Sequence, residues 1–90
     1  MEVVPTQEFN KSIKKLTDKV AKNRLKKLIE KLKKAKDLSE ISNVIPLTNN
    51  PLLYRIVTGD FRLIVKHSKG SIEILLIEYL RRNEKTYRDY

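Results

Sequence analysis

Residues 52–66, LLYRIVTGDFRLIVK, read as two alternating apolar strands joined by a two-residue turn. Gly59 follows Thr58 as the first central residue of the turn Thr58-Gly59-Asp60-Phe61, and glycine there suits the type II′ turn that matches the twist of a β-hairpin. This turn sets the register, pairing Val57 with Arg62, Ile56 with Leu63 and Arg55 with Ile64. Side chains alternate across a strand, so one face carries Leu52, Tyr54, Ile56, Phe61, Leu63 and Val65, a core face. The other carries Arg55, Val57, Arg62, Ile64 and Lys66. Three cations on a half-apolar face resist deep burial without partners, so this face reads as an open basic floor. A change of one residue in loop length would separate Arg55 from Arg62.

The rest of the chain extends outward from this hairpin. Upstream, residues 1–4 form a short candidate strand ended by Pro5, and Thr6 can cap a helix that starts near Gln7. Phe9, Ile13, Leu16 and Val20 make one apolar stripe; Leu25, Leu28, Ile29 and Leu32 make another. The step from Val20 to Leu25 turns roughly 140° around a helix, so the stripes are out of phase. The spacing therefore predicts a break within residues 17–23 and a helical hairpin, with Asp18 or Thr17 as cap of its second helix; one kinked helix is the alternative. Leu38, Ile41, Val44, Ile45 and Leu47 lie in a linker too apolar to be a free tether, which crosses the core edge with one helical turn near Leu38 to Ile41. Downstream, Ser68-Lys69-Gly70 is a turn, and residues 72–79, IEILLIEY, read as a central strand covered on both sides. Residues 81–90, RRNEKTYRDY, form a polar tail.

The fold expected is thus a single α+β domain over residues 1–90: an N-terminal strand and a helical hairpin packed on one face of a mostly antiparallel four-stranded sheet. The other face stays open.

Composition narrows the chemistry. Ninety residues, 40% of them hydrophobic, suffice for one small core. With no cysteine and one histidine, His67, the chain offers no disulfide, no cysteine–histidine zinc set and no paired-histidine chemistry. No signal peptide or transmembrane run is evident, so a cytoplasmic protein is expected. The net charge is +9. Residues 19–36 hold nine bases against the one acid Glu30, a local charge of +8, which favours a polyanion or an acidic protein as partner; a merely solvated helix face is the plainer alternative.

The order of elements, the run Leu53-Tyr54-Arg55-Ile56-Val57-Thr58-Gly59-Asp60-Phe61-Arg62-Leu63-Ile64 and the arginine-rich tail with Tyr87-Arg88 resemble the RelE/ParE superfamily, the toxins of bacterial type II toxin–antitoxin modules. In its RelE-like branch the toxin enters the ribosomal A site and cuts messenger RNA without a metal or other cofactor, the ribose 2′-hydroxyl attacking the adjacent phosphate. The resemblance implies Arg55, Arg62, Arg81 and Tyr87 as catalytic residues, with Arg82 as alternative to Arg81. It implies RNA contacts from Lys66, Arg82, Lys85 and Arg88, with ribosome, messenger and a cognate antitoxin as partners. Guanidinium groups suit the phosphorane-like transition state because they pair with phosphate oxygens through two donors. A tyrosine can pass a proton to or from the reacting oxygens if neighbouring cations lower its pKa.

Some RelE-like nucleases have a second lysine two residues after the position of Arg55; here that residue is Val57, so either Lys66 or Arg82 substitutes, or the nuclease is slow, or the chain is not a nuclease. The ParE branch shares the fold and much of the hairpin but inhibits DNA gyrase; a non-catalytic basic nucleic-acid-binding protein is the further alternative. Outside the implied site, Tyr54 and Phe61 read as core, His67 as non-catalytic, and Tyr79 and Tyr90 as weaker candidates for stacking on bases.

Overall fold

The computed structural model describes residues 1–83. Strand β1 (Glu2–Pro5) leads through Thr6 into helix α1 (Gln7–Lys14), and helix α2 (Lys19–Lys34) follows after a short break. A 3₁₀ turn at Leu38–Glu40 precedes β2 (Val44–Pro46), β3 (Leu53–Thr58), β4 (Phe61–Lys66) and β5 (Glu73–Arg81). The five strands are ordered β1-β5-β4-β3-β2; β1 runs parallel to β5 and the other pairs are antiparallel. The sheet therefore has five strands where four were expected. The additional strand, β2, is three residues long and pairs Val44 with Ile56 and Pro46 with Tyr54. A proline is tolerated at such a sheet edge, where its missing N–H is not needed by a further strand.

Both helices start where the chain offers a cap. The Thr6 hydroxyl accepts from the Phe9 N–H and the Asp18 carboxylate from the Ala21 N–H, each satisfying an otherwise orphaned donor of the first turn. Thr6 also donates to the Leu76 carbonyl at 2.7 Å. That carbonyl lies beside the irregularity in β5, where Ile64 pairs with Glu78 but the next residue, Val65, pairs with Leu76. Helix α1 is thus tied at its first turn to a β-bulge, a place where the ladder frees backbone groups. The second stripe lies in α2, but of the first only Phe9 and Ile13 lie in α1; Leu16 is buried just after that helix ends, and Val20 sits in α2 and is 59% exposed.

The core lies between the helices and one sheet face. Phe9, Leu16, Ala21, Leu25, Leu28 and Leu32 from the helical side meet Ile56, Phe61, Leu63, Val65, Ile74, Leu76 and Tyr79 from the sheet. Tyr54 packs at its margin. The last strand covers Glu73–Arg81; Ile72, expected to begin it, is 74% exposed.

Candidate functional site

The hairpin turn is the pivot of the site. Gly59 has φ +62° while Asp60 is not in the left-handed region, the signature of a type II′ turn. The register is Val57 with Arg62, Ile56 with Leu63 and Arg55 with Ile64. Arg55 and Arg62 therefore share the sheet face away from the helices.

That face is built in rows across β3, β4 and β5. Val57, Arg62 and Leu80 form the row at the turn; Arg55, Ile64 and Glu78 form the next; Leu53, Lys66 and Leu75 form the one after the bulge. The expected open floor needs correction here. Ile64 is 0% and Leu80 4% exposed, and Arg55 and Arg62 are half-buried. Ile64 stands between Arg55 and Glu78, and long charged side chains can lay their stems across an apolar neighbour while keeping their charged ends outside. The floor is thus a mixed surface, in which the half-buried Arg55 and Arg62 stand beside the sealed Ile64 and Leu80. Lys66 is exposed and four residues from Arg62 on the same strand, roughly 13 Å away at 3.3 Å per residue.

Arg62 has a second engagement. Its Nη1 donates to the carbonyls of Gly59 and Phe61, both at 2.8 Å, so the guanidinium clasps its own turn. An arginine has five N–H donors. The Nη1 group accounts for two of them, and the Nε and Nη2 donors stand apart from this clasp. Its partners are these carbonyls rather than the carboxylates of Glu73 or Glu78.

Arg81 is placed differently from Arg62. It pairs with Phe61 across the ladder, and its guanidinium carbon lies 4.9 Å from the Phe61 ring centroid. Phe61 in turn stacks on Tyr79 with centroids 4.8 Å apart and planes 17° from parallel. Arg81 thus belongs to the helix-side face, at a cleft of about 350 Å³ that also takes in Glu8, Lys11, Lys15 and Tyr79. Arg82 lies two residues beyond Leu80, the cross-strand partner of Arg62, and its N–H donates to the Asp60 carbonyl at 2.8 Å. Of the two tail arginines, Arg82 is the one that follows in step with Arg62. Lys85, Tyr87, Arg88 and Tyr90 lie outside the described residues.

Two buried polar residues are structural. The Tyr79 hydroxyl donates to the Ala21 carbonyl at 3.0 Å and meets the Thr58 hydroxyl at 3.0 Å. Burial pushes its pKa above the ordinary phenol value, against weaker opposing effects from Thr58 and Arg24. At 3% exposure it offers no ring to a base, so the stacking role considered for it does not fit. His67 is buried with Nδ1 3.0 Å from the Glu73 carbonyl.

The sequence reading missed Arg24. This residue of α2 reaches over the turn, where a Cβ on Gly59 would collide with its Nη1. The available signal was that Arg24 is the single arginine among the nine bases of residues 19–36. Arg24, Arg62, Arg81 and Arg82 thus all meet the residues of one turn, Thr58 to Phe61, by side chain or backbone.

No family model and no curated relative matches the sequence. Solved structures do. The chain is similar over 97% of its length to 96% of a chain in the RelB–RelE antitoxin–toxin complex from Methanococcus jannaschii, with a TM-score of 0.77 and 21% identity. It is similar over 92% of its length to 96% of a chain in the archaeal RelE–RelB complex from Pyrococcus horikoshii, with a TM-score of 0.71 and 22% identity. The isolated RelE toxin of E. coli matches 98% of this chain over 92% of its own, with a TM-score of 0.63 and 19% identity. The sequence identities are low and the coverage is nearly complete on both sides, so what the chain shares with these proteins is their architecture: it has the RelE toxin fold.

Proposed function

We propose that this protein is the toxin of a type II toxin–antitoxin module and acts as a ribosome-dependent messenger endoribonuclease that needs no metal. The observation that carries the reading is the placement of Arg55 and Arg62 on one sheet face, in adjacent rows beside the turn, within a RelE fold. The similar structures from Methanococcus jannaschii and Pyrococcus horikoshii are antitoxin–toxin complexes, which supports a cognate antitoxin as partner.

In this reading the messenger lies against the rows of Arg62 and Arg55. The 2′-hydroxyl loses its proton and attacks the adjacent phosphorus; the bond to the 5′-oxygen breaks, and that oxygen takes up a proton. The products are a 2′,3′-cyclic phosphate and a 5′-hydroxyl. Arg62, through the N–H donors outside its turn clasp, and Arg55 stabilise the charge gathered on the phosphate oxygens. Arg82, in step with Arg62, is favoured over Arg81 as the third cation on this face. Tyr87 is the proposed proton-transfer group; Lys66, Lys85 and Arg88 are proposed to hold the messenger backbone. The ribosome supplies the in-line geometry that a small basic domain does not impose on free RNA.

The test is primer extension on messenger from programmed ribosomes. Wild-type protein should cut, and Arg62→Lys should cut about 10²–10³-fold more slowly, since lysine keeps the charge but loses the paired donors. Undiminished cleavage by Arg62→Lys and Arg62→Ala would remove Arg62 from the mechanism.

One observation favours a second reading. The residue beside Arg62 in its row is Val57 rather than a lysine, and Lys66 lies two rows away. A gyrase-inhibiting, ParE-like toxin would need no such lysine. Toxicity without ribosomal cleavage, relieved by a resistant gyrase, would establish that reading instead.

A further inference from the structure

Two guanidinium groups meet at Gly59, one from each side of the sheet. Arg24 comes from α2, on the helix side. A Cβ at Gly59 would stand 3.1 Å from its guanidinium carbon and 3.9 Å from its Cδ, so the end of this side chain lies across the turn. Arg62 comes from the opposite face and holds the Gly59 carbonyl through Nη1 at 2.8 Å. Glycine offers no side chain to separate them, and like charges brought together repel. Among the described residues no carboxylate offsets the pair: neither arginine is in an ion pair, and nor is Asp60, the acid of the turn. Arg24, Gly59 and Asp60 are all exposed. The residue type is a second, independent observation. Residues 19–36 carry eight lysines and a single arginine, and the arginine stands where the helix meets the turn.

We infer that Arg24 and Arg62 form a two-armed phosphate site at the tip of the β3–β4 hairpin, in which Arg24 binds the RNA backbone phosphate next to the one that Arg62 holds. A planar fork of N–H donors suits phosphate oxygens, where a lysine would act as a point charge. Arg62 has its Nη1 engaged with the turn and presents its other donors; Arg24 presents its fork from across the same glycine. Consecutive phosphates of one strand supply the negative charge that the turn itself lacks, and they come at close, regular intervals, as two cations separated by one residue require. The strand then passes over the hairpin tip from the far face toward α2, rather than along the far face alone. The lysines of α2 contribute general attraction to the polyanion. The inference deepens the nuclease reading, and rests on it for identifying the strand as messenger; binding at the tip does not itself require cleavage.

The experiment measures binding alone. A labelled single-stranded RNA of about ten nucleotides, 2′-O-methylated throughout so that no hydroxyl can attack, is titrated with full-length protein and followed by anisotropy between about 50 and 200 mM salt. The comparison is Arg24→Met, which keeps the apolar stem and removes the charge, against Lys26→Met. Lys26 is also exposed on α2, but two residues on, and hence about 200° around the helix. Circular dichroism verifies that both variants fold. Arg24→Met should weaken binding roughly fivefold or more and lower the slope of log K against log salt by about 0.7, the value for one phosphate of a single strand. Lys26→Met should change affinity less than about twofold. Equal losses in the two variants would mean attraction by bulk charge, and unchanged binding by Arg24→Met would make Arg24 a cover for the turn; either result overturns the inference. An acidic peptide of the same length is the second probe. If Arg24→Met weakens peptide binding as much as RNA binding, the tip selects charge rather than phosphate, and the inference is likewise overturned. Because this RNA cannot be cut, a protein that proves to be no nuclease can still show the site, and an active nuclease can still lack it.

Discussion

At the scale of single residues, the clasp made by Arg62 determines how its substitution should be interpreted. Its Nη1 holds the Gly59 and Phe61 carbonyls, so Arg62→Ala removes two hydrogen bonds together with a charge. We expect Arg62→Ala to lower stability by about 1–2 kcal/mol, measured by urea denaturation, because hydrogen bonds of this kind contribute about 1 kcal/mol each. Cleavage assays on that variant are therefore meaningful only well below its melting temperature. Tyr79 permits a second residue-scale prediction. Its pKa is raised in the folded state, so the folded protein retains the phenol proton where the unfolded chain has lost it. The stability this contributes is fully present below the unfolded value of 10.0 and is lost as pH rises from there through the folded value. Tyr79→Phe should abolish that part of the alkaline fall, shown by comparing denaturation midpoints of the two proteins on both sides of pH 10. Parallel curves would show that the phenol does not contribute.

At the scale of elements, the turn and the caps are the sensitive points. Gly59 combines a left-handed φ with the approach of Arg24. Gly59→Ala should cost about 1–3 kcal/mol from the backbone alone. The Arg24 side chain is long and can swing aside, so Arg24→Ala placed in the same chain should recover little of that loss; substantial recovery would locate the cost in the contact instead. Asp18→Ala removes the cap of α2 and should cost about 1 kcal/mol, a fall in Tm of about 4–8 °C in a domain of this size, readable by calorimetry. These same elements were legible in the sequence because each is specified locally. A two-residue turn fixes a hairpin register, and a capping side chain sits three residues from the N–H it accepts. What was not legible depended on distant pairing. Strand β2 has three residues and a proline, too few for an alternation to be seen. The choice between Arg81 and Arg82 depends on the β4–β5 register and on the bulge at Ile64/Val65, and neither is set by a tight turn. The burial of Ile64 was misread for a related reason: its pairing with Arg55 follows from the turn, but its other neighbour, Glu78 of β5, is brought beside it by a register that no tight turn sets.

At the scale of the whole molecule, the net charge of +9 is carried unevenly, with +8 on residues 19–36. Association with ribosomes should accordingly weaken steeply with salt, as counterion release requires. Sedimentation with ribosomes over a salt series should show this, with a smaller slope for a variant lacking several α2 lysines; an unchanged slope would mean that α2 stays away from RNA. No described helix is long and apolar enough to cross a membrane.

The parallel pairing of β1 with β5 has a temporal consequence. Val3 finds its partner Ile74 seventy-one residues later, so most of the sequence must be made before the two can meet. The helices emerge early with a greasy side and nothing to lay it on, because β3, β4 and β5 follow them in order of synthesis. Contacts of such long sequence separation form late and slowly. A nascent chain still held in the exit tunnel by β5 is consequently unfinished as a folded object. If the molecule acts on ribosomes as proposed, the ribosome making it is shielded from its own product until β5 has been translated and has left the tunnel.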